Sequence, residues 1–171
     1  MADSKQVDIL KALTEHLEGI NPDNGYNEDL RGQVFRGRLM FGPDVSPPFV
    51  TMIDAPRPNF TVEVGDSNER AENWDLLLQG WGADDSENPA DPAYQLKAAV
   101  EHRLSRLFAI DERSGEPVYP DEYRLGDRVV SIKIGAGVVR PPADNPAGPL
   151  CFYLPLTIVR AADLANPFVV A

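Results

Sequence analysis

The sequence predicts an α+β fold in which two helices pack on a mainly antiparallel or mixed β-sheet. Two segments far apart in the chain have apolar residues at helical spacing, and six other segments have the composition of strands. The 16 prolines and 13 glycines among 171 residues predict frequent turns. A chain of this length fits a single domain, residues 1–171, that buries roughly 70% of the surface its unfolded form exposes.

The first predicted helix begins at a cap residue, Asp3 or Ser4, and ends at Gly19. Its apolar residues lie on one face and its charged residues on the flanks, which is typical of a helix that packs on a sheet. The apolar positions are Val7, Leu10, Leu13 and Leu17.

The second predicted helix has Asp91 as its cap, Pro92 at its first position and its end near Ile110. Arg103 lies in the later turns, where a cation complements the helix dipole. The side expected to be buried is formed by Tyr94, Leu96, Ala99, Val100, Leu104, Leu107 and Phe108.

Six segments carry the β-branched and aromatic residues, or the alternation, that are typical of strands. They are residues 33–41, 49–53, 60–64, 73–81, 129–134 and 150–160. Pro155 interrupts the last segment and predicts a sheet edge or a bulge, because proline has no N–H to donate. Residues 141–149 are too rich in proline to pair as sheet, so we expect a semi-rigid arm projecting between two antiparallel strands.

The charge balance disfavours nucleic acid as a ligand. Sixteen Lys and Arg against 27 Asp and Glu give a formal net charge of −11, which repels phosphate backbones. The same acidity would suit the lumen of a ring through which DNA slides without specific binding. Residues 1–6 lack the features of a signal peptide, and no apolar run is long enough for a membrane span, so we expect a cytoplasmic chain with no membrane association.

No catalytic, cofactor-binding or metal-binding residue is assigned from the sequence. Cys151 is the only cysteine and begins an apolar strand, where a small buried hydrophobe is a commoner role than a nucleophile paired with a histidine. His16 and His102 fall on the predicted helices without the spacing of a zinc or hydrolase motif. We expect both histidines on the surface.

Two further motifs fall short of a ligand site. The run Gly135-Ala136-Gly137 follows a strand but lacks the third glycine and the helix of a dinucleotide-binding loop. Asp84, Asp85, Glu87 and Asp91 form an acidic stretch without the ligand alternation around a central glycine that calcium loops have. A solvated loop followed by a helix cap is the expected role of this stretch.

Several segments, taken in their order along the chain, cover most of its length. They are the leucine-rich first helix ending at Leu17-Glu18-Gly19-Ile20, Gly25-Tyr26, residues 29–38, residues 47–53, the strand holding Trp74 and Trp81, the helix over residues 93–108, and residues 152–156. This order resembles the tail terminator family of long-tailed bacteriophages, the group that includes the minor tail protein U type. Each segment is a packing pattern and none is a catalytic signature.

The resemblance implies a structural protein, not an enzyme, that forms a hexameric ring on the head-proximal end of a completed tail tube. Its implied partners are sister subunits, the major tail tube protein and a head–tail connector or neck protein, and its implied location is the virion tail after assembly in the host cytoplasm. Arginines that face acidic neighbours would give such subunit contacts specificity. The candidate interface residues are Arg36, Arg38, Arg103, Asp84, Asp85, Pro142, Asp144 and Asn145.

Two alternatives from other classes stay open. A head-closure or other neck protein of a tailed phage would bind portal-side partners, and the sequence does not separate it from a terminator because fold alone does not fix function. A cysteine-dependent hydrolase would need a reactive thiol in a pocket at Cys151, and the missing motif disfavours it.

The acidic charge generates a first prediction. We expect the purified protein to show no measurable affinity for duplex DNA at physiological salt, because few cations are available to neutralise phosphates. Fluorescence anisotropy of a labelled duplex, titrated at two salt concentrations, measures it. Tight binding that weakens with added salt would contradict the lumen hypothesis and favour a direct role on nucleic acid.

Overall fold

The computed structural model describes residues 2–55, 67–140 and 150–170, and it has the predicted α+β fold with a mixed six-stranded sheet. The helices are α1 Lys5–Glu18, α2 Asp91–Ser105 and the four-residue α3 Arg124–Asp127. The strands are β1 Val34–Arg36, β2 Phe49–Asp54, β3 Glu69–Trp81, β4 Ser131–Ile134, β5 Val138–Arg140 and β6 Cys151–Asp163. The predicted strand at residues 60–64 and the predicted arm at 141–149 lie outside the described residues.

The sheet is organised around the pairing of its two longest strands. The strand order is β1-β2-β3-β6-β4, with β5 also paired to β6, and every pair is antiparallel except β1 with β2. β3 and β6 pair along their full length, from Glu69 opposite Asp163 to Trp81 opposite Cys151. Since successive residues of a strand point to opposite faces, this register puts all even-numbered residues of both strands on one face.

The even-numbered face of the sheet forms the hydrophobic core with α1 and α2. Leu78, Phe152 and Leu154 on the sheet are fully buried, and so are Leu13 of α1 and Leu104 of α2. They belong to one continuous cluster of buried residues. The two long helices therefore cover one face of the sheet and leave the odd-numbered face to be covered by loops.

Pro155 lies in the central strand β6, which pairs with β3 without interruption, so neither the predicted edge nor a bulge within that strand is found; the irregularity lies on the neighbouring β4–β5 side. The carbonyl of Pro155 accepts a hydrogen bond from the N–H of Gly135 at 2.8 Å, so the proline nitrogen faces the break between β4 and β5. Ile134 pairs with Leu156 and Val138 with Tyr153, which leaves one extra residue on the β4–β5 side, as in a β-bulge. The missing N–H of the proline thus costs no ladder hydrogen bond.

The helix ends and the first strand differ in detail from the sequence predictions. Ser4 caps α1 through its side-chain oxygen, which accepts a hydrogen bond from the N–H of Val7 at 3.3 Å. The predicted cap at Asp91 is wrong. Asp91 is the first residue of α2, Ala90 is at the cap position, and no side chain makes a capping hydrogen bond. The helix also ends at Ser105, earlier than expected. β1 has only three residues, because the chain turns away from the sheet at Gly37, where φ is +67°.

The short helix α3 is a left-handed turn. All four of its residues have positive φ, and Leu125 and Gly126 have φ/ψ of 55°/44° and 64°/45°. Left-handed backbone costs roughly 1–2 kcal/mol per non-glycine residue. The turn is held by burial of the Leu125 side chain in the core and by the N–H of Arg124, which donates to the carbonyl of Leu107 at 2.8 Å.

The close approach of Gly80 to Phe152 generates a stability prediction. A Cβ on Gly80 would lie 2.6 Å from Cζ of Phe152, whose ring is fully buried. We expect Gly80→Ala to destabilise the fold by about 1–3 kcal/mol, because the packed ring has no room to move. Chemical denaturation measures the change.

The matched control is a double-mutant cycle with Phe152→Leu, which replaces the ring with a smaller side chain. If the ring is the obstacle, the double variant loses less stability than the sum of the two single variants. Strict additivity would show that Gly80 is required for another reason.

Candidate subunit-contact surface

Three loops leave the sheet at the same end. The register aligns Phe49, Trp81, Cys151 and Arg140 in one row across four strands. Loop 37–48 ends at this row, where β2 begins, and loop 82–90 starts at this row, where β3 ends. β5 also ends at this row, and β6 begins there. We call this row and its loops the loop end of the sheet. Arg38 and the pair Asp84 and Asp85, which are distant in sequence, lie on two loops at this end of the sheet.

Loop 37–48 is anchored by an aromatic cluster on the odd-numbered face. Phe49 stacks on Trp81 with ring centroids 4.7 Å apart, and Phe41 lies 4.3 Å from Phe49. Phe35 closes the cluster with an edge contact to Phe41 at 5.5 Å. Aromatic pairs of this kind contribute packing beyond their buried area, so the loop is fixed against the end of the sheet.

Arg38 stabilises the same loop from within. Its guanidinium lies 5.0 and 5.1 Å from the ring centroids of Phe35 and Phe41, a distance at which cation–π attraction operates. Nη2 pairs with Asp44 at 3.1 Å, and Nε donates to the carbonyl of Met40 at 3.1 Å. The hydrogen bond from Arg38 lowers the pKa of Asp44. Arg38 thus uses much of its bonding capacity within its own subunit.

The anchored loop exposes two large apolar side chains. Leu39 is 67% exposed and Met40 is 86% exposed, so the predicted strand over residues 33–41 does not include them. We call these two residues the knob. A loop already fixed in place loses little backbone entropy when it binds, although each long side chain that becomes ordered costs about 0.5–1.5 kcal/mol. The glycines on either side, Gly37 and Gly42, were the sequence signal for a loop at this place.

In the acidic loop after β3, the two aspartates have different surroundings. Asp85 accepts hydrogen bonds from the N–H groups of Glu87 and Asn88, both at 2.9 Å, and these bonds lower its pKa. Asp84 is exposed and makes no ion pair with any residue in the described ranges. Asp85 is therefore committed to the turn, while Asp84 is available to a partner. Within residues 2–55, 67–140 and 150–170, no cluster of three metal-ligating side chains occurs.

The remaining candidate residues lie elsewhere. Arg36 is at the end of β1, exposed, and has no ion pair in the part of the chain that the structure describes. Arg103 faces α1: its side chain is only 11% exposed, and its Nε donates to the carbonyl of His16 at 2.8 Å. The expectation that Arg103 faces a neighbouring subunit is therefore corrected, because its guanidinium bonds internally. Pro142, Asp144 and Asn145 lie outside the described residues.

The expectation that His16 is a surface residue is also wrong. His16 is 7% exposed, and its Nε2 donates to the carbonyl of Arg103 at 2.8 Å, which leaves Nδ1 as the unprotonated nitrogen. Nδ1 lies 3.4 Å from Oε2 of Glu122. Burial, the largest effect, lowers the pKa of His16 to about 4. His102, by contrast, is exposed and bonds to the hydroxyl of Tyr26 at 2.9 Å.

Glu122 is the residue of this network that the sequence did not reveal. Its Oε1 pairs with Nη2 of Arg106 at 2.5 Å, and its Oε2 lies 3.6 Å from Nη1 of Arg103. It stands in an irregular segment before α3, where no periodicity marks a residue as buried. The contacts of Glu122 with His16, Arg103 and Arg106 connect α1, α2 and the segment before α3. They belong to the helical layer of the fold.

Cys151 occupies a buried position at the loop end. It is fully buried, and its Sγ donates to the carbonyl of Arg140 at 3.4 Å. The contacts of the two histidines are with Arg103, Glu122 and Tyr26. The surroundings of Cys151 are those of a packed hydrophobe with a weak S–H donor.

A shallow concavity of about 430 Å³ lies on the odd-numbered face, where β2 ends and β3 and β6 continue. Its apolar lining includes Ala55, Leu77 and Pro155, and its polar lining includes Asp75 and Thr157. The Thr157 hydroxyl donates to Oδ1 of Asp75 at 2.8 Å. The long helices leave this region of the sheet uncovered.

Comparison of the sequence with protein-family models and with curated proteins finds no match. Among the described residues, none of the helices has the length and hydropathy required to cross a bilayer.

The buried His16 generates a pH prediction. The unfolded chain protonates this histidine near its ordinary pKa of 6.5, whereas the folded chain does so only near 4. Stability is therefore lost as the pH falls from about 6.5 towards 4, by about 3 kcal/mol from this group. Urea denaturation at a series of pH values measures the loss.

The variant His16→Gln removes the titrating group while its amide can still donate to a carbonyl, so its stability should change less across this pH range. The exposed His102→Gln is the control and should behave as the unsubstituted protein does. Identical pH profiles for His16→Gln and the unsubstituted protein would refute this assignment.

Proposed function

We propose that this protein is a tail terminator of a long-tailed bacteriophage, which caps the head-proximal end of the tail tube as a hexameric ring. The observation that carries the proposal is the loop end of the sheet, where an anchored loop presents Leu39 and Met40 beside an acidic loop with a free carboxylate at Asp84. Such a surface suits binding to other protein subunits, because it combines a preformed apolar contact with charges that set specificity.

The fold also supports a binding role. The two long helices cover one face of the sheet and bury its apolar side chains, which leaves the loop end and part of the odd-numbered face for contacts. In the described ranges, the only cysteine is buried and neither histidine contacts it. The α+β fold of two helices on a mixed sheet is the one that the resemblance implies.

The charge of the chain fits the same role. A ring around DNA must not retain the phosphates that pass through it, and a net charge of −11 per subunit repels them. The major tail tube protein, sister subunits and a head–tail connector are the partners in this proposal. No cofactor is required.

The test replaces the arm that joins β5 to β6. Replacing Pro142 to Gly148 with a short glycine-containing turn should leave the monomer folded, since these residues include no large apolar side chain. If the arm contributes to the ring or to its partner contact, tails grown with this variant should be overlong and headless. Electron microscopy of tail lengths and thermal unfolding of the variant are the two measurements.

Glu112→Ala provides a matched control, because Glu112 lies in an exposed turn between Ile110 and Pro117. Tails of normal length with normal head joining, from a variant that unfolds at the normal temperature, would show that the arm has no part in assembly. Normal tail length with failed head joining would favour a head-closure protein instead.

A further inference from the structure

The described ranges contain three sulfur-bearing side chains, and one of them is exposed. Met52 of β2 is 2% exposed and Cys151 of β6 is fully buried, whereas Met40 in loop 37–48 is 86% exposed. Met52 and Cys151 lie in strands that pair with a neighbour on each side. A dissolved reagent therefore reaches the sulfur of Met40 in the folded chain, while the other two sulfur atoms are shielded.

The exposure of Met40 comes from a loop that is held in place. The carbonyl of Met40 accepts a hydrogen bond from Nε of Arg38 at 3.1 Å. The next residue, Phe41, packs its ring 4.3 Å from that of Phe49, measured between centroids. The main chain at Met40 is therefore fixed to its neighbours, while the thioether extends into solvent.

We propose that Met40 is a site of reversible oxidation, at which an oxidant of the peroxide class converts the thioether to the sulfoxide. A lone pair of the sulfur forms a bond to one oxygen of hydrogen peroxide, the O–O bond breaks, and the other oxygen takes up the proton and leaves as water. The sulfur is oxidised by two electrons and the peroxide is reduced. A methionine sulfoxide reductase with a dithiol as reductant restores the thioether.

Oxidation changes the chemistry of the knob at the surface that the proposed function uses. This consequence rests on that function, in which the knob contacts another subunit. A sulfoxide is polar, and its oxygen needs a hydrogen-bond donor that an apolar contact does not supply. The oxidised chain therefore binds its partner more weakly. Because an assembled knob is covered, the free subunit is the form that is open to the oxidant.

Peptide mapping of the full-length protein by tandem mass spectrometry tests the site. The protein is treated with hydrogen peroxide, and sulfoxide formation is followed at Met40 and Met52 separately. We expect Met40 to react at least about tenfold faster than Met52 in the folded protein, because only Met40 is exposed. Equal rates at the two positions would overturn the proposal.

The same measurement in guanidinium chloride is the control. In the unfolded chain the two rates should converge, since the fold alone shields Met52. A difference of the same size in the unfolded chain would overturn the proposal, because local sequence and not the structure would then determine the reactivity of Met40.

Tail assembly tests the consequence. The purified protein is treated with peroxide, the peroxide is removed with catalase, and the protein is added to growing tails. Its capacity to limit tail length should fall at least about fivefold and return after treatment with the reductase and dithiol. Met40→Leu keeps an apolar side chain of similar volume but has no sulfur at this position. Each protein is compared with its own untreated sample, and the treatment should not change Met40→Leu. An equal loss by Met40→Leu would overturn this consequence.

The oxidation site and the proposed function can fail separately. If Met40 reacts selectively but the untreated protein does not limit tail length, the site stands and the terminator role fails. If the untreated protein limits tail length but Met40 reacts no faster than Met52, the function stands and the site fails. In assembled tails Met40 should react at least about tenfold more slowly than in the free protein, and an unchanged rate would show that the knob is not in the contact.

Discussion

The antiparallel pairing of β3 with β6 determines the rest of the structure. Thirteen consecutive residues of each strand are paired, and this register decides which side chains meet the helices and which face the loops. Moving β3 by one residue relative to β6 would turn Leu78 away from the helices and Asp75 towards them. The same register sets the row from which three loops leave, so the candidate contact surface depends on it directly.

Much of the fold was predictable because it follows from local patterns. Ser4 and the spaced leucines predicted α1, and the apolar runs predicted β2, β3, β4 and β6 in the right places. Local patterns did not predict the structure at positions where a contact between distant segments determines it. Pro155 indicated an edge or a bulge in its own strand because its missing N–H is a local property, whereas the extra residue that accommodates it lies on the β4–β5 side.

The candidate site was predictable only in part, for the same reason. Charge alone predicts Arg38, Asp84 and Asp85, and the strand register puts their loops at one end of the sheet. Charge predicts Arg103 equally well, yet Arg103 faces α1 and bonds to a carbonyl of that helix. His16 and Glu122 show that a polar residue can be buried when its partners come from other elements. Such partners are set by tertiary packing and leave no periodic signal in sequence.

The short edge strands of the sheet have a consequence for how copies of the chain can associate. Exposed strand edges are the usual templates for aggregation, and proteins protect themselves by keeping edge strands short or bulged. Here β1 has three residues, and the opposite edge is divided between β4 and β5 by a bulge. Within the described residues, neither terminal strand offers a long row of free backbone groups, so these two edges do not favour growth by strand addition. Contacts made at these edges must then depend on side chains, which a short list of substitutions can alter.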